Sequence, residues 1–216
     1  MENKTKYIGV GGLAKAGKDL FCKIAINLLN EKKITSVKFA FADELKDDLD
    51  SFLREKYGIS SWTYDPKEKE LIRGMLVAHG CCKRNQTGGK YWIDKLQDKI
   101  YSFGLSLPQV VFVSDVRFSN EVDFIHSLNG KFIHLSKYRL HRCEKEGYQQ
   151  KIEKIFCLPP NDEEKLNDPI IKKMADYILE WEDIQGSINI ELKHDISMNE
   201  YLIRNVKNIL VKYDIL

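Results

Sequence analysis

Gly12-Leu13-Ala14-Lys15-Ala16-Gly17-Lys18 is the stretch whose reading decides the fold. It fits the spacing Gly-x-x-x-x-Gly-Lys, in which successive backbone N–H groups line one concavity around a nucleotide's phosphates. Glycine lets the chain turn that tightly. The following helix adds the partial positive charge of its N-terminus, and Lys18 reaches the outer phosphates. Both flanks agree. Lys6 to Val10 reads as a short strand, and Phe21, Ile24, Ala25, Leu28 and Leu29 make one apolar helix face. Gly12, Leu13, Ala14, Lys15, Ala16, Gly17, Lys18 and Asp19 are therefore the expected phosphate-binding residues. Asp19 stands where a Ser or Thr hydroxyl usually binds Mg²⁺. A carboxylate is a hard oxygen donor and can hold Mg²⁺ directly or through water. The plainer alternative is a glycine-rich turn with a helix-capping Asp19 and no ligand.

Composition narrows the class. The chain has 216 residues, 43% of them hydrophobic, which suits one domain over 1–216 with a core of its own. Charged residues make up 31% but nearly balance, at a formal net charge of +2. That balance offers no whole-protein attraction to nucleic acid or to a membrane surface, so neither is an expected partner. No apolar run approaches a membrane span, and no signal-peptide pattern precedes the first strand. Cys22, Cys81, Cys82, Cys143 and Cys157 are odd in number and lack zinc spacing, which reads as reduced thiols in a cytoplasmic protein.

Beyond the loop, the pattern alternates strand and helix. Ser36 to Ala42 alternates as a strand, with Asp43 placed to cap a helix striped by Leu45, Leu49, Phe52 and Leu53. Asp65-Pro66-Lys67-Glu68 starts another helix, which the pattern ends near Gly80. Cys81 to Lys90 reads as a polar, basic loop, and Tyr91 to Phe103 as a helix burying Trp92, Leu96 and Ile100. Val110 to Val113 is a continuous apolar run, as in a strand covered on both faces of a parallel sheet. A short helix closed by Gly130 and a strand over 132–135 follow. This order predicts an α/β fold of three layers. Residues 136–168 lose the pattern, hold Pro159-Pro160, and read as a lid or insertion. The last strand falls at 175–179 or 188–192. Ser197-Met198-Asn199-Glu200 forms a capping box for a C-terminal helix that buries Leu202, Val206, Ile209, Leu210 and Tyr213.

Ligands in open α/β sheets sit at the carboxyl ends of the strands. Three charged clusters fall there: the loop, Asp43 to Lys46, and Asp115 to Glu121. Asp115 ends the buried strand, the position of a Mg²⁺-associated acid or of a capping, ion-paired Asp. Arg117 can bind phosphate oxygens bidentately or pair with Glu121 or another acid on its turn. Lys137 to Arg142, with Arg139 and Arg142, is either a set of lid cations or a solvated basic turn. His126 and His134 sit in no metal-spaced set, and Trp62, Trp92 and Trp181 read as packing residues.

Asp115-Val116-Arg117-Phe118-x-Asn120-Glu121 after a Val-rich strand resembles the Asp-x-Arg segment of phage-type deoxynucleoside monophosphate kinases. So does Gly17-Lys18-Asp19, with Asp after the lysine. Phe41 to Lys46, Arg73 to Gly80 and Tyr91-Trp92-Ile93 are softer matches. The resemblance spans about Lys6 to Leu135. Leu20 and His79-Gly80-Cys81-Cys82 depart from the pattern, on the acceptor side. The resemblance implies a three-layer P-loop kinase fold with a mostly parallel sheet. It implies transfer of the ATP γ-phosphoryl group to a deoxynucleoside 5′-monophosphate, in the cytoplasm, or the host cytoplasm for a phage-encoded chain. It makes a homodimer plausible. On it, Lys18, Asp115, Arg117, Arg139 and Arg142 are catalytic, and Asp19 and Asp115 lie near Mg²⁺. Asp43, Lys46, Arg73, Arg84, Trp92 and Glu121 fall on the substrate side. Two other readings stand beside it: another P-loop small-molecule kinase, and a non-catalytic ATP-binding switch.

Overall fold

In the computed structural model, which describes residues 5–144, 150–183 and 198–216, the chain forms two compact units. One is Met1–Lys38 with Pro108–Leu216, and the other is Phe39–Leu107.

The first unit holds the sheet. Its strands are β1 (Lys6–Gly11), β2 (Ser36–Ala40, whose last two residues pass into the second unit), β3 (Val110–Val116), β4 (Lys131–Glu144), β5 (Gln150–Phe156) and β6 (Tyr177–Glu182). The hydrogen-bonded order is β2-β3-β1-β4-β5, with β6 also on β4. β1 runs parallel to β3 and β4, and β4 runs parallel to β6 and antiparallel to β5. The expected mostly parallel α/β architecture is present. One face is covered by α1 (Lys18–Glu31) and α7 (Met198–Lys212), the other by α5 (Ser119–Ser127), with α6 (Asp162–Met174) packed on α5 and β4. Strands covered on both faces are apolar throughout, which is why Val110 to Val113 are all fully buried. Phe21, Ala25 and Leu29 of α1 meet Leu202, Val206, Ile209 and Leu210 of α7 over Ile8, Val10 and Phe112. Each large side chain buried there contributes roughly 1.5–3 kcal/mol.

Several boundaries differ from the sequence pattern. β2 stops at Ala40, and α2 (Phe41–Tyr57) begins two residues before Asp43. Asp43 and Glu44 thus lie in the first turn, facing the positive end of the helix dipole, rather than at the cap. α3 (Pro66–Gln86) does not end at Gly80 but runs through most of the expected loop, which shrinks to four residues before α4 (Tyr91–Ser102). Gly80 lies inside α3 beside the Leu45 side chain, where a Cβ would make ordinary contact at 3.5 Å, so it marks no helix end. The patternless span after Leu135 is largely regular. β4 continues to Glu144 and pairs with β5 from Tyr138↔Phe156 to Glu144↔Gln150. Antiparallel strands open to water tolerate charged side chains, so the hairpin lacks a hydrophobic signature. The last strand is β6, at 177–182; the alternative at 188–192 and the capping Ser197 lie outside the described residues.

Asp65 caps α3 as its sequence predicts, accepting from the Lys67 N–H at 2.7 Å. The second unit packs α2, α3 and α4 around Leu53, Ile72, Trp92, Leu96 and Ile100. Among the described residues, no helix is long and apolar enough to cross a membrane.

Candidate functional site

The loop between β1 and α1 has the backbone that its glycines allow. Gly12 and Gly17 have φ of 126° and 95°, left-handed values that side chains resist. Space forbids a side chain as well. A Cβ at Gly12 would lie 2.3 Å from the Leu135 carbonyl oxygen, and one at Gly17 2.3 Å from the Trp181 ring. Trp181 is the floor of the loop: it is buried, and its indole N–H donates to the Ala16 carbonyl at 2.7 Å. Lys18 Nζ donates to the carbonyls of Gly12 at 2.8 Å and Leu13 at 2.9 Å. Burial pulls the Lys18 pKa down, against the attraction of Asp115.

Asp115 is placed by an irregularity that the sequence does not reveal. Val10 pairs with Ser114 and Gly11 with Val116, so Asp115 is an extra residue in β3, at a φ of 71°. A bulge of this kind re-aims a side chain. The Asp115 carboxylate accepts from Arg117 Nε at 2.8 Å, and Arg117 Nη1 reaches Glu164 at 3.0 Å. These acids hold the guanidinium's pKa above its already high value, Asp115 most strongly and against the effect of burial. Glu121 is almost wholly buried, and its carboxylate accepts the N–H groups of Arg117 at 2.8 Å and Phe118 at 3.2 Å. It shapes the turn that carries Arg117.

The structure therefore brings together Gly12 to Lys18, Asp115 and Arg117. Asp19 begins on the same helix but is exposed and pairs with Lys38 at 2.7 Å. Arg139 and Lys137 both bind Asp183, at 3.2 and 2.9 Å, and Arg142 pairs with Ile152 in the backbone ladder.

The second unit carries the other expected residues. Lys46 lies 3.8 Å from Asp43 and 4.4 Å from the Trp62 ring centroid. Arg73 is exposed and pairs with Glu70, and Arg84 lies in the last turn of α3. Trp92 is a packing residue: it is buried, and its indole N–H donates to the Gly80 carbonyl at 3.2 Å.

Sequence reasoning missed two groups in the first unit. Glu164, at the start of α6, is buried and accepts the Ala14 N–H at 2.7 Å, across 150 residues of chain. His134 is buried between Ser136, at 3.1 Å from Nδ1, and Asp168, at 2.9 Å from Nε2, tying β4 to α6. Nothing in the spacing of either group announces it. A cleft lined by Gly12, Arg117, Glu164 and Asp168 runs beside the loop, and a second by Leu13, Ala16, His134, Ser136 and Lys172.

A concave loop of amides with a lysine and an arginine beside it suits phosphate oxygens. Of the two acids expected near Mg²⁺, Asp115 lies beside the loop in contact with Arg117, and Asp19 is exposed and paired with Lys38. No group of three metal-ligating side chains forms among the described residues.

No protein-family model and no curated protein matches this chain. Among solved structures, it is similar to a shikimate kinase from Bacteroides thetaiotaomicron, at 15% identity and a TM-score of 0.40 over 97% of this chain and 98% of that one. It is similar to an APS kinase from Mycobacterium tuberculosis, at 10% identity and 0.40 over 98% of both. A sugar kinase from Janibacter sp. HTCC2649 aligns at 9% identity and 0.44, over 98% of this chain and 95% of that one. At such values neither substrate nor reaction passes from them to this chain.

Proposed function

We propose that the chain is an ATP-dependent phosphotransferase whose acceptor is a deoxynucleoside 5′-monophosphate. One observation carries the donor half: the glycine loop, Lys18 and the bulged Asp115 with Arg117 converge at the ends of β1 and β3. The loop amides and Lys18 would hold the outer phosphates of ATP. Asp115 and Asp19 would hold Mg²⁺, which when bound neutralises phosphate charge. Arg117 would bind oxygens of the transferring group, since a guanidinium keeps its charge and offers a planar pair of donors. The acceptor phosphate is already anionic, so the reaction rests on positioning and charge stabilisation. The acceptor's identity rests on the resemblance of Asp115 to Glu121 and Gly17 to Asp19 to the phage-type kinases.

A second reading keeps the donor half and changes the acceptor to another small molecule. The departures from the family pattern at Leu20 and His79-Gly80-Cys81-Cys82, on the acceptor side, support it.

The test is ADP release from ATP and Mg²⁺ with each common deoxynucleotide and ribonucleotide monophosphate added singly. Turnover that requires one deoxynucleoside monophosphate, and that is lost in Lys18→Ala, is the expected result. ATP binding with no monophosphate-dependent turnover would move the assignment to the second reading or to a nucleotide switch.

A further inference from the structure

The Glu164 carboxylate bridges an N–H of the glycine loop and the Arg117 guanidinium, two donors that the proposed phosphate site would offer to its ligand. One oxygen takes the Ala14 N–H at 2.7 Å and the other takes Arg117 Nη1 at 3.0 Å. The carboxylate sits at the cleft of Gly12 and Arg117, and its residue is only 7% exposed. Its reach is fixed by α6: Asn161 caps the helix by accepting the Glu164 N–H at 2.8 Å, and one turn further Asp168 is held by His134. Glu163, the neighbouring acid, lines the same cleft but is exposed.

A single amide hydrogen serves one strong acceptor, and two anions cannot share it without strong repulsion. We infer that Glu164 is a built-in competitor for the phosphate loop, so that an anionic phosphate ligand must displace the first turn of α6 from Ala14 and Arg117. The inference rests on the nucleotide reading above and adds regulation to the same site. A loop held by its own carboxylate binds ligand only in the fraction of molecules in which α6 has let go. The apparent affinity is reduced by that fraction.

The experiment is ATP binding by calorimetry to the wild-type chain, Glu164→Gln and Glu163→Gln, with hydrogen exchange of α6 measured on the wild type with and without saturating ATP. Both variants remove one negative charge, but only Glu164→Gln breaks the two-armed bridge, because the NH2 that replaces one oxygen cannot accept from Ala14 or Arg117. The expected result is about tenfold tighter binding by Glu164→Gln and a change within about twofold for Glu163→Gln, an exposed charge. The amides over 165–171 should lose protection when ATP binds. Equal gains in the two variants would reduce the effect to net charge and overturn the inference. So would Glu164→Gln binding no tighter than wild type, or undiminished protection of α6 at saturation. Should Glu164→Gln not fold, the exchange measurement on the wild type decides alone. Absence of ATP binding in a folded wild-type chain is a different failure, because it removes the nucleotide reading and takes the competitor with it.

Discussion

Asp115 shows how one residue can be legible in type and illegible in geometry. Its place after a Val-rich run marks it as a strand-end acid. Its left-handed φ of 71° in a bulge follows from the pairing of β1 with β3, which no local pattern encodes. A non-glycine residue held there costs on the order of 1–3 kcal/mol. Asp115→Gly and Asp115→Ala both delete the carboxylate and the contact with Arg117, so their difference isolates the backbone. The glycine variant should be the more stable by about 1 kcal/mol in urea unfolding; an alanine variant of equal or greater stability would place Asp115 elsewhere in φ. Cys22 is the reverse case. Its type suggests reactivity, but it is fully buried in α1, and burial pushes its thiol up to about 12. It is a small core side chain, not a nucleophile.

Elements were readable where periodicity reports a buried face. The α1 and α7 stripes predicted from spacing are the ones packed against the sheet, though Ile24, Leu28 and Tyr213 are only partly covered. Helix ends were less readable: Gly80 looks like a terminus and is an interior position beside Leu45. β6 contributes something that no stripe announces, the indole beneath the phosphate loop. Trp181→Phe keeps most of the apolar volume and leaves the buried Ala16 carbonyl without its 2.7 Å donor. An unsatisfied buried acceptor costs about 1–3 kcal/mol. The variant should melt earlier and bind ATP more weakly, because Gly17 rests on the same ring. Unchanged melting with unchanged ATP affinity would show that the loop needs no such floor.

Across the whole chain, the first unit is closed by contacts between segments far apart in sequence. Asp176, in the turn between α6 and β6, gathers three of them. It accepts the Phe132 N–H at 2.8 Å, pairs with Lys131 at 3.0 Å, and meets His126 of α5 at 2.9 Å. Burial by itself would raise the Asp176 pKa, but these three donors outweigh it and hold the carboxyl below its ordinary value. A carboxylate with a lowered folded pKa stabilises the fold fully above its ordinary value, about 4, and loses that contribution as pH falls through the folded one. Asp176→Asn should therefore lower the urea midpoint at pH 7 and lose less than the wild type between pH 7 and pH 3. An acid limb identical in the two proteins would mean that other carboxylates govern it.

The sequence by itself determined the alternation of strands and helices, the glycine loop, the Asp65 cap and the apolar faces of α1 and α7. Each is a local consequence of side-chain period, backbone freedom or a nearby hydrogen bond. Only the tertiary structure decided the β4–β5 hairpin, the bulge at Asp115, and the meeting of Glu164 with Ala14. These depend on strand register and on pairings that span from 6 to 150 residues. Such pairings are chosen by the burial and hydrogen bonding of the folded chain as a whole, and short-range spacing carries no record of them.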